Sequence, residues 1–176
     1  MEGSSQLRMT VYTSLFVALI TVGAYVAIPI GPVPIVLQNM FVLLAALILG
    51  PVWGMVCVGV YLVIGFAGLP VFAGGTSGIG RLFGPTGGYL LGYLPCVFVT
   101  ASISRALGQK PAGDIPAMAA GALIVYAAGI PWLMAATSLS LKNALTVGMF
   151  PFLIGDALKI AAAAFIARAL RPLVRT

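Results

Sequence analysis

The sequence predicts an all-α membrane protein: a compact six-transmembrane-helix bundle, both termini cytoplasmic, with a Gly-rich outer loop between helices 3 and 4. Three observations predict it. The 176 residues are 61% hydrophobic and only 7% charged, whereas a soluble domain carries about 25% charged residues. Lipid must therefore solvate most of the surface. Residues 9–80 contain no Asp, Glu, Lys, Arg or His, and a gap of that length fits about three spans of roughly 20 residues each. Residues 65–92, GFAGLPVFAGGTSGIGRLFGPTGGYLLG, hold ten of the 22 glycines and one charged residue, Arg81. Irregular backbone at membrane depth survives only when packed in protein or lining a polar cavity, so this stretch marks a site.

Helix 1 is expected over residues 9–28, stopped by the prolines at 29, 32 and 34, which cannot continue a helix. Helix 2 covers residues 36–49 and ends at Gly50–Pro51; helix 3 covers 52–67 and ends at Gly68–Pro70. Helix 4 follows the glycine-rich loop over 87–104, closed by a polar loop with Arg105, Lys110, Pro111 and Asp114. Helix 5, over 115–136, contains Pro131 and is expected to kink. A second loop holds Ser138, Ser140, Lys142 and Asn143, and helix 6 covers 151–170 before a basic tail. With no long linker or low-complexity segment, residues 1–176 are expected to form a single transmembrane domain.

Six spans put both termini on one side. That side carries Arg8, Arg105, Lys110, Arg168, Arg171 and Arg175; the other carries Arg81 and Lys142. The excess of Lys and Arg marks the cytoplasmic side, and the loops after helices 3 and 5 then face outward. The same placement argues against nucleic acid as the target of the net +6 charge. With no His and two unclustered Cys, Cys57 and Cys96, the usual zinc and haem ligand sets are excluded. Nothing resembles G-x-x-x-x-G-K-[ST], so any ATP hydrolysis falls to another subunit, and no cofactor is expected in this chain.

Asp156 and Lys159 lie inside helix 6. A charge at bilayer depth costs about 2.5–3.5 kcal/mol on translocon scales, and charges retained there are usually functional. The i, i+3 spacing puts both on one helix face. They either neutralise each other as an internal ion pair or present an acceptor and a donor to a polar ligand, and the two readings are compatible. Arg81 either snorkels to headgroups or aims a guanidinium at an anionic group. Gln38 and Asn39 either line a cavity or cap a helix end. Tyr89, Phe66 and Phe72 belong to an interfacial belt or to a pocket wall. In helix 1, Ser14 and Ala18 have the small-xxx-small spacing that lets helices approach closely in lipid.

The run PVPIVLQ (32–38), followed by GLPVFAGGTSG (68–78), GPTGGYLLGY (84–93) and a late GDALK (155–159), resembles the BioY family. That family comprises the biotin-specific S-components of energy-coupling-factor (ECF) transporters. The resemblance covers nearly the whole chain in length, six-span layout and motif order. It implies a multi-pass protein of the bacterial plasma membrane that captures biotin from outside beneath its loops. It also implies partners: an energy-coupling transmembrane subunit and two ATPase subunits. The family docks its coupling subunit on a small-residue motif of helix 1, which appears here as Ser14-x-x-x-Ala18. Biotin fits the residues: Asp156 is expected to accept from a ureido N–H, Lys159 to donate to the ureido oxygen, and Arg81 to hold the valerate carboxylate. Gln38, Tyr89, Phe72, Gly74 and Gly75 complete the expected ligand set. Four other readings stand beside this one: an S-component for riboflavin or thiamine, a biotin transporter working without ATPase subunits, a purely structural membrane protein, and an intramembrane enzyme. The last lacks a nucleophile–base pair, and an enzyme is not expected.

Overall fold

The structure is a computed structural model and describes residues 2–29 and 31–175. The side chains of residues 2–5 and 175 lie outside what is described, and with them the Arg175 side chain of the expected basic tail. Helix α1 runs Glu2–Tyr25. It stops before Ile28, the expected end, because Ala27–Ile28 pairs antiparallel with Ile35–Val36 (β1 and β2). Ile28 precedes Pro29, and a residue before proline is biased toward extended backbone.

Helix α2 spans Gln38–Phe66 but breaks at Gly50, whose φ of 79° and ψ of −176° are non-helical. A Cβ built on Gly54 would lie 3.6 Å from Ala46 Cα. Eight residues of straight helix rise about 12 Å, so the two arms fold back on each other as a hairpin. These arms are the expected helices 2 and 3. Among the described residues five helices are long and apolar enough to cross a membrane, and the turn at Gly50 divides one of them to give the six-helix layout. Because the Gly50 dihedrals belong to a region that is essentially glycine-only, Gly50→Ala is expected to cost about 1–3 kcal/mol. Thermal unfolding in detergent measures it, and an unshifted midpoint would contradict the hairpin geometry.

The glycine-rich stretch is more ordered than the sequence suggests. It contains a 3₁₀ turn, Ala73–Gly75, a Phe72–Thr76 bridge and a short helix α3, Gly80–Phe83. Three amphipathic side chains satisfy its carbonyls. Tyr25 Oη donates to Pro70 O at 2.7 Å, Tyr61 Oη to Val71 O at 2.9 Å, and Trp132 Nε1 to Gly84 O at 3.1 Å. Backbone acceptors that no ladder reaches are thereby paired.

Helix α4 covers Gly87–Ala106 and α5 covers Pro111–Thr137, running through Pro116 and Pro131. The expected loop before α5 is shorter than read. Pro111 opens the helix, and the amides of Gly113 and Asp114 both bond Lys110 O at 2.8 Å, the usual place for proline. The expected loop at 138–143 becomes a helix, α6, Leu141–Gly148, capped by the Ser140 hydroxyl accepting from Asn143 N. After a 3₁₀ turn at Phe150–Phe152, α7 runs Leu153–Arg175, extending past the expected end through Pro172.

The two arms of α2 and helix α4 form the centre, with α1 against α2, α5 against α4, and α7 against both α2 and α5. Outward-facing Val22, Val63, Leu123, Ile154 and Phe165 are exposed, as lipid-facing positions should be. At the end opposite the glycine-rich stretch, two residues expected in a loop and a tail are instead buried together. Asp114 is 0% and Arg171 7% exposed. Arg171 Nη1 meets Asp114 Oδ2 at 2.6 Å and Nη2 meets Oδ1 at 2.8 Å, a bidentate pair. Ser104 Oγ accepts from Arg171 and donates to Asp114, and Gln109 O accepts from Arg171. This network ties the ends of α4, α5 and α7.

Candidate ligand-binding site

The glycine-rich end of the bundle encloses a cavity with about 130 Å³ open to the centres of water-sized molecules. Each of its polar groups is placed by local folding. The chain after β2 is held by Leu37 N bonding Gly23 O at 3.1 Å and Val26 O at 3.3 Å, which starts α2 with Gln38 and Asn39 at the cavity. On α4, Tyr89 and Tyr93 share a face at i, i+4; on α7, Asp156 and Lys159 do so at i, i+3. Tyr126 enters from mid-α5.

Four of these side chains form one closed cluster. Asp156 Oδ1 accepts from Asn39 Nδ2 at 2.8 Å and from Lys159 Nζ at 3.1 Å; its Oδ2 accepts from the Tyr126 hydroxyl. Lys159 Nζ also donates to Asn39 Oδ1 at 3.1 Å. Asp156 and Lys159 are 7% and 8% exposed. Burying an ion pair costs several kcal/mol per ion unless further hydrogen bonds complete it, and Asn39 and Tyr126 supply those bonds. The cluster is not saturated. An ammonium has three donors and a carboxylate about four acceptor positions, so Lys159 keeps one N–H, and Asp156 Oδ2 and Asn39 Oδ1 each keep a lone pair. The Asp156–Lys159 ion pair is formed, and the same geometry leaves donor and acceptor positions open toward the cavity.

The walls are apolar and aromatic: Val42, Leu90, Val125, Phe72 and Phe152 line the cavity with the tyrosines. Phe72 is held from behind by edge-to-face contacts with Tyr61 and Phe66, centroids 5.6 and 5.2 Å apart, so Phe66 supports the wall without lining it. Tyr89 donates to Gly148 O at 2.9 Å, pinning α6 over α4. Gln38 lines the cavity while 2% exposed, and its Nε2 has no hydrogen-bond partner. A buried donor left unpaired costs about 1–3 kcal/mol, so a ligand acceptor here is favoured.

Arg81, on α3, lines the cavity from its exposed rim, and among the described residues no ion pair involves it. With Lys159 and Asp156 it gives the cavity a formal charge of +1. Gly74 and Gly75 lie just outside the lining, between Ala73 and Thr76, which do line it. Their positive φ values, 68° and 72°, make the turn that brings those neighbours in. Ser14 and Ala18 sit far from the cavity on the exposed face of α1, where Ser14 Oγ donates to Thr10 O at 3.1 Å. Among the described residues no three His, Cys, Asp or Glu cluster as a metal site would need.

In the sequence Asn39 reads as cavity or cap; Tyr126, Tyr93 and Phe152 carry no spacing signal. One cue for Tyr126 exists: it is the only side chain with an oxygen or nitrogen in residues 115–131, and a buried tyrosine hydroxyl usually finds a partner.

Comparison with known proteins gives the family and the fold. The BioY family matches residues 1–176. The chain is 39% identical over 158 residues to a probable biotin transporter BioY of Pyrococcus horikoshii, covering 90% of this chain and 93% of that one. It is 38% identical over 167 residues to the biotin transporter BioY of Thermotoga maritima, covering 95% and 98%. The structure superposes with a TM-score of 0.91 and 31% identity on a 2.1 Å crystal structure of the S-component for biotin from an ECF-type ABC transporter, covering 98% of this chain and 95% of that one. By sequence over its whole length and by fold, the chain is a multi-pass membrane protein that belongs to the BioY family.

Proposed function

We propose that this chain takes up biotin, binding it from the extracytoplasmic side and delivering it across the plasma membrane as a single-domain S-component, residues 1–176. The observation that carries the reading is the unsaturated Asp156–Lys159–Asn39–Tyr126 cluster inside an apolar, aromatic-walled cavity with Arg81 at its rim. Biotin's ureido group has two N–H donors and one carbonyl acceptor. The free lone pairs on Asp156 Oδ2 and Asn39 Oδ1 take the donors, and the remaining Lys159 N–H takes the carbonyl. Apolar walls suit the thioether bicycle. The formal +1 charge suits a monoanion, and Arg81 receives the valerate carboxylate. Gly74 and Gly75 shape the turn that closes over the ligand, and Gln38 donates to it.

Arg8, Arg105, Lys110, Arg168 and Arg171 belong to the end remote from the cavity, which supports a cytoplasmic location for that end and for both termini. The exposed Ser14–Ala18 face of α1 is the docking surface for a coupling transmembrane subunit that brings two ATPase subunits. No cofactor enters the chain's own role, which is binding rather than catalysis.

Cells unable to make or import biotin test this. Expression of the chain with its coupling module is expected to restore accumulation of labelled biotin; no accumulation by cells that contain the folded protein would overturn the proposal. Arg81 has its own test. Arg81→Ala is expected to weaken biotin binding about tenfold, the range of a charge-assisted hydrogen bond, while leaving the uncharged biotin amide bound as before. Equal losses for both ligands would remove Arg81 from the carboxylate role.

A further inference from the structure

A second concave site lies at the opposite end of the bundle, where the α4–α5 turn meets the end of α7. Gln109, Lys110, Pro111, Arg168, Arg171 and Pro172 line it. Its three cations face one acid, Asp114, which Arg171 already engages in both carboxylate oxygens. The local formal charge is therefore +2. Lys110 and Arg168 are exposed, and among the described residues neither is in an ion pair. Arg171 differs from them. It is 7% exposed, fixed by Asp114, Ser104 and Gln109, and its Nε has no hydrogen-bond partner. Lys110 and Pro111 are also the N-cap and first residue of α5, a 27-residue helix whose N-terminus has no side-chain cap. Pro111 has no N–H and the Gly113 and Asp114 amides bond Lys110 O, so α5 contributes the positive end of its dipole to the cleft rather than a set of free donors.

Scattered lysines and arginines at an inner membrane surface need only the positive-inside rule to explain them. A cleft is different. Here one arginine is immobilised at its back, two unpaired cations stand at its rim, a helix N-terminus opens on it and two prolines stiffen its edges. Exposed Leu107 and Ile115 lie beside the same turn, an apolar surface next to a cationic one. Basic pockets between helices on the cytoplasmic side bind anionic headgroups.

We propose that the Lys110–Arg168–Arg171 cleft binds a phosphate-bearing anion, held by Lys110 and Arg168 against the fixed guanidinium of Arg171. The source is either the headgroup of an anionic phospholipid or a free phosphate compound. The site does not depend on the biotin reading, since it shares no residue with the outer cavity.

Native mass spectrometry of the purified protein tests it, with cardiolipin, phosphatidylglycerol and phosphatidylcholine added separately, and with inorganic pyrophosphate as the soluble competitor. Anionic lipid is expected to be retained well above phosphatidylcholine. Lys110→Ala/Arg168→Ala, both exposed and unpaired and so safe for folding, is expected to lower that retention roughly tenfold or more, given the contribution of each basic residue near an anionic surface. Arg8→Ala/Arg105→Ala, charges at the same end but outside the cleft, is expected to change it little. Pyrophosphate that displaces the lipid identifies a free phosphate compound as an alternative occupant; pyrophosphate without effect assigns the site to lipid. Three results would each overturn the proposal: equal retention of phosphatidylcholine, undiminished retention by Lys110→Ala/Arg168→Ala, or an equal loss in the control pair.

Discussion

Asp156→Ala is expected to raise the dissociation constant for biotin by about 10²- to 10³-fold, because truncating one member of a buried, hydrogen-bonded charge pair costs 2–5 kcal/mol or more. The geometry gives the reason. One carboxylate organises three partners at once: Asn39, Lys159 and Tyr126. Its removal deletes an acceptor for the ureido group and leaves Lys159 buried and charged with Asn39 as its remaining hydrogen-bond partner. Lys159→Ala is expected to do comparable damage from the other side. The two changes act on one unit, so Asp156→Ala/Lys159→Ala is expected to cost much less than the sum of the singles. Equilibrium binding of labelled biotin to each variant, with size-exclusion elution to confirm folding, measures the cycle. Binding that survives in both single variants would remove the cluster from the site.

The second large effect lies at the other end and is on stability. Asp114→Ala leaves Arg171 buried among Ser104, Gln109 and an emptied carboxylate position, a change worth about 3–5 kcal/mol for a buried ion pair broken on one side. The thermal midpoint in detergent is expected to fall sharply. Asp114→Leu/Arg171→Met is expected to recover most of the loss, because apolar residues of similar volume replace a buried pair with little penalty. The folded fraction of each variant should bind biotin as wild type does, since the network shares no residue with the outer cavity. A stability unaffected by Asp114→Ala would show that the pair does not hold α4, α5 and α7 together.

The sequence made the membrane class, the helix count and the hairpin break legible for strong physical reasons. A long stretch without charge has no alternative to lipid, and Gly50–Pro51 cannot continue a helix. The misread elements were short ones. Residues 141–148 are too polar to stand out, and their helix rests on the Ser140 cap and on burial of Ala144 and Gly148, i and i+4. Asp114 and Arg171 read as loop and tail because their partnership spans 57 residues and no local pattern encodes it. The site divides the same way. Asp156 and Lys159 were visible because charge is costly in a membrane helix, and Arg81 because it is the one charge among the glycines. Tyr126 was not, since a tyrosine in an apolar helix has ordinary structural uses, and Asn39 stood open between lining a cavity and capping a helix end. Only the approach of α2, α5 and α7 makes them one cluster.

The account's central claim is that the outer cavity reads biotin. Direct titration of labelled biotin into the purified wild-type protein, beside riboflavin and thiamine, tests it most directly. Saturable binding of one biotin per chain, with neither other vitamin binding or competing, is the predicted result. Folded protein that binds no biotin, or that binds riboflavin or thiamine in its place, would contradict it.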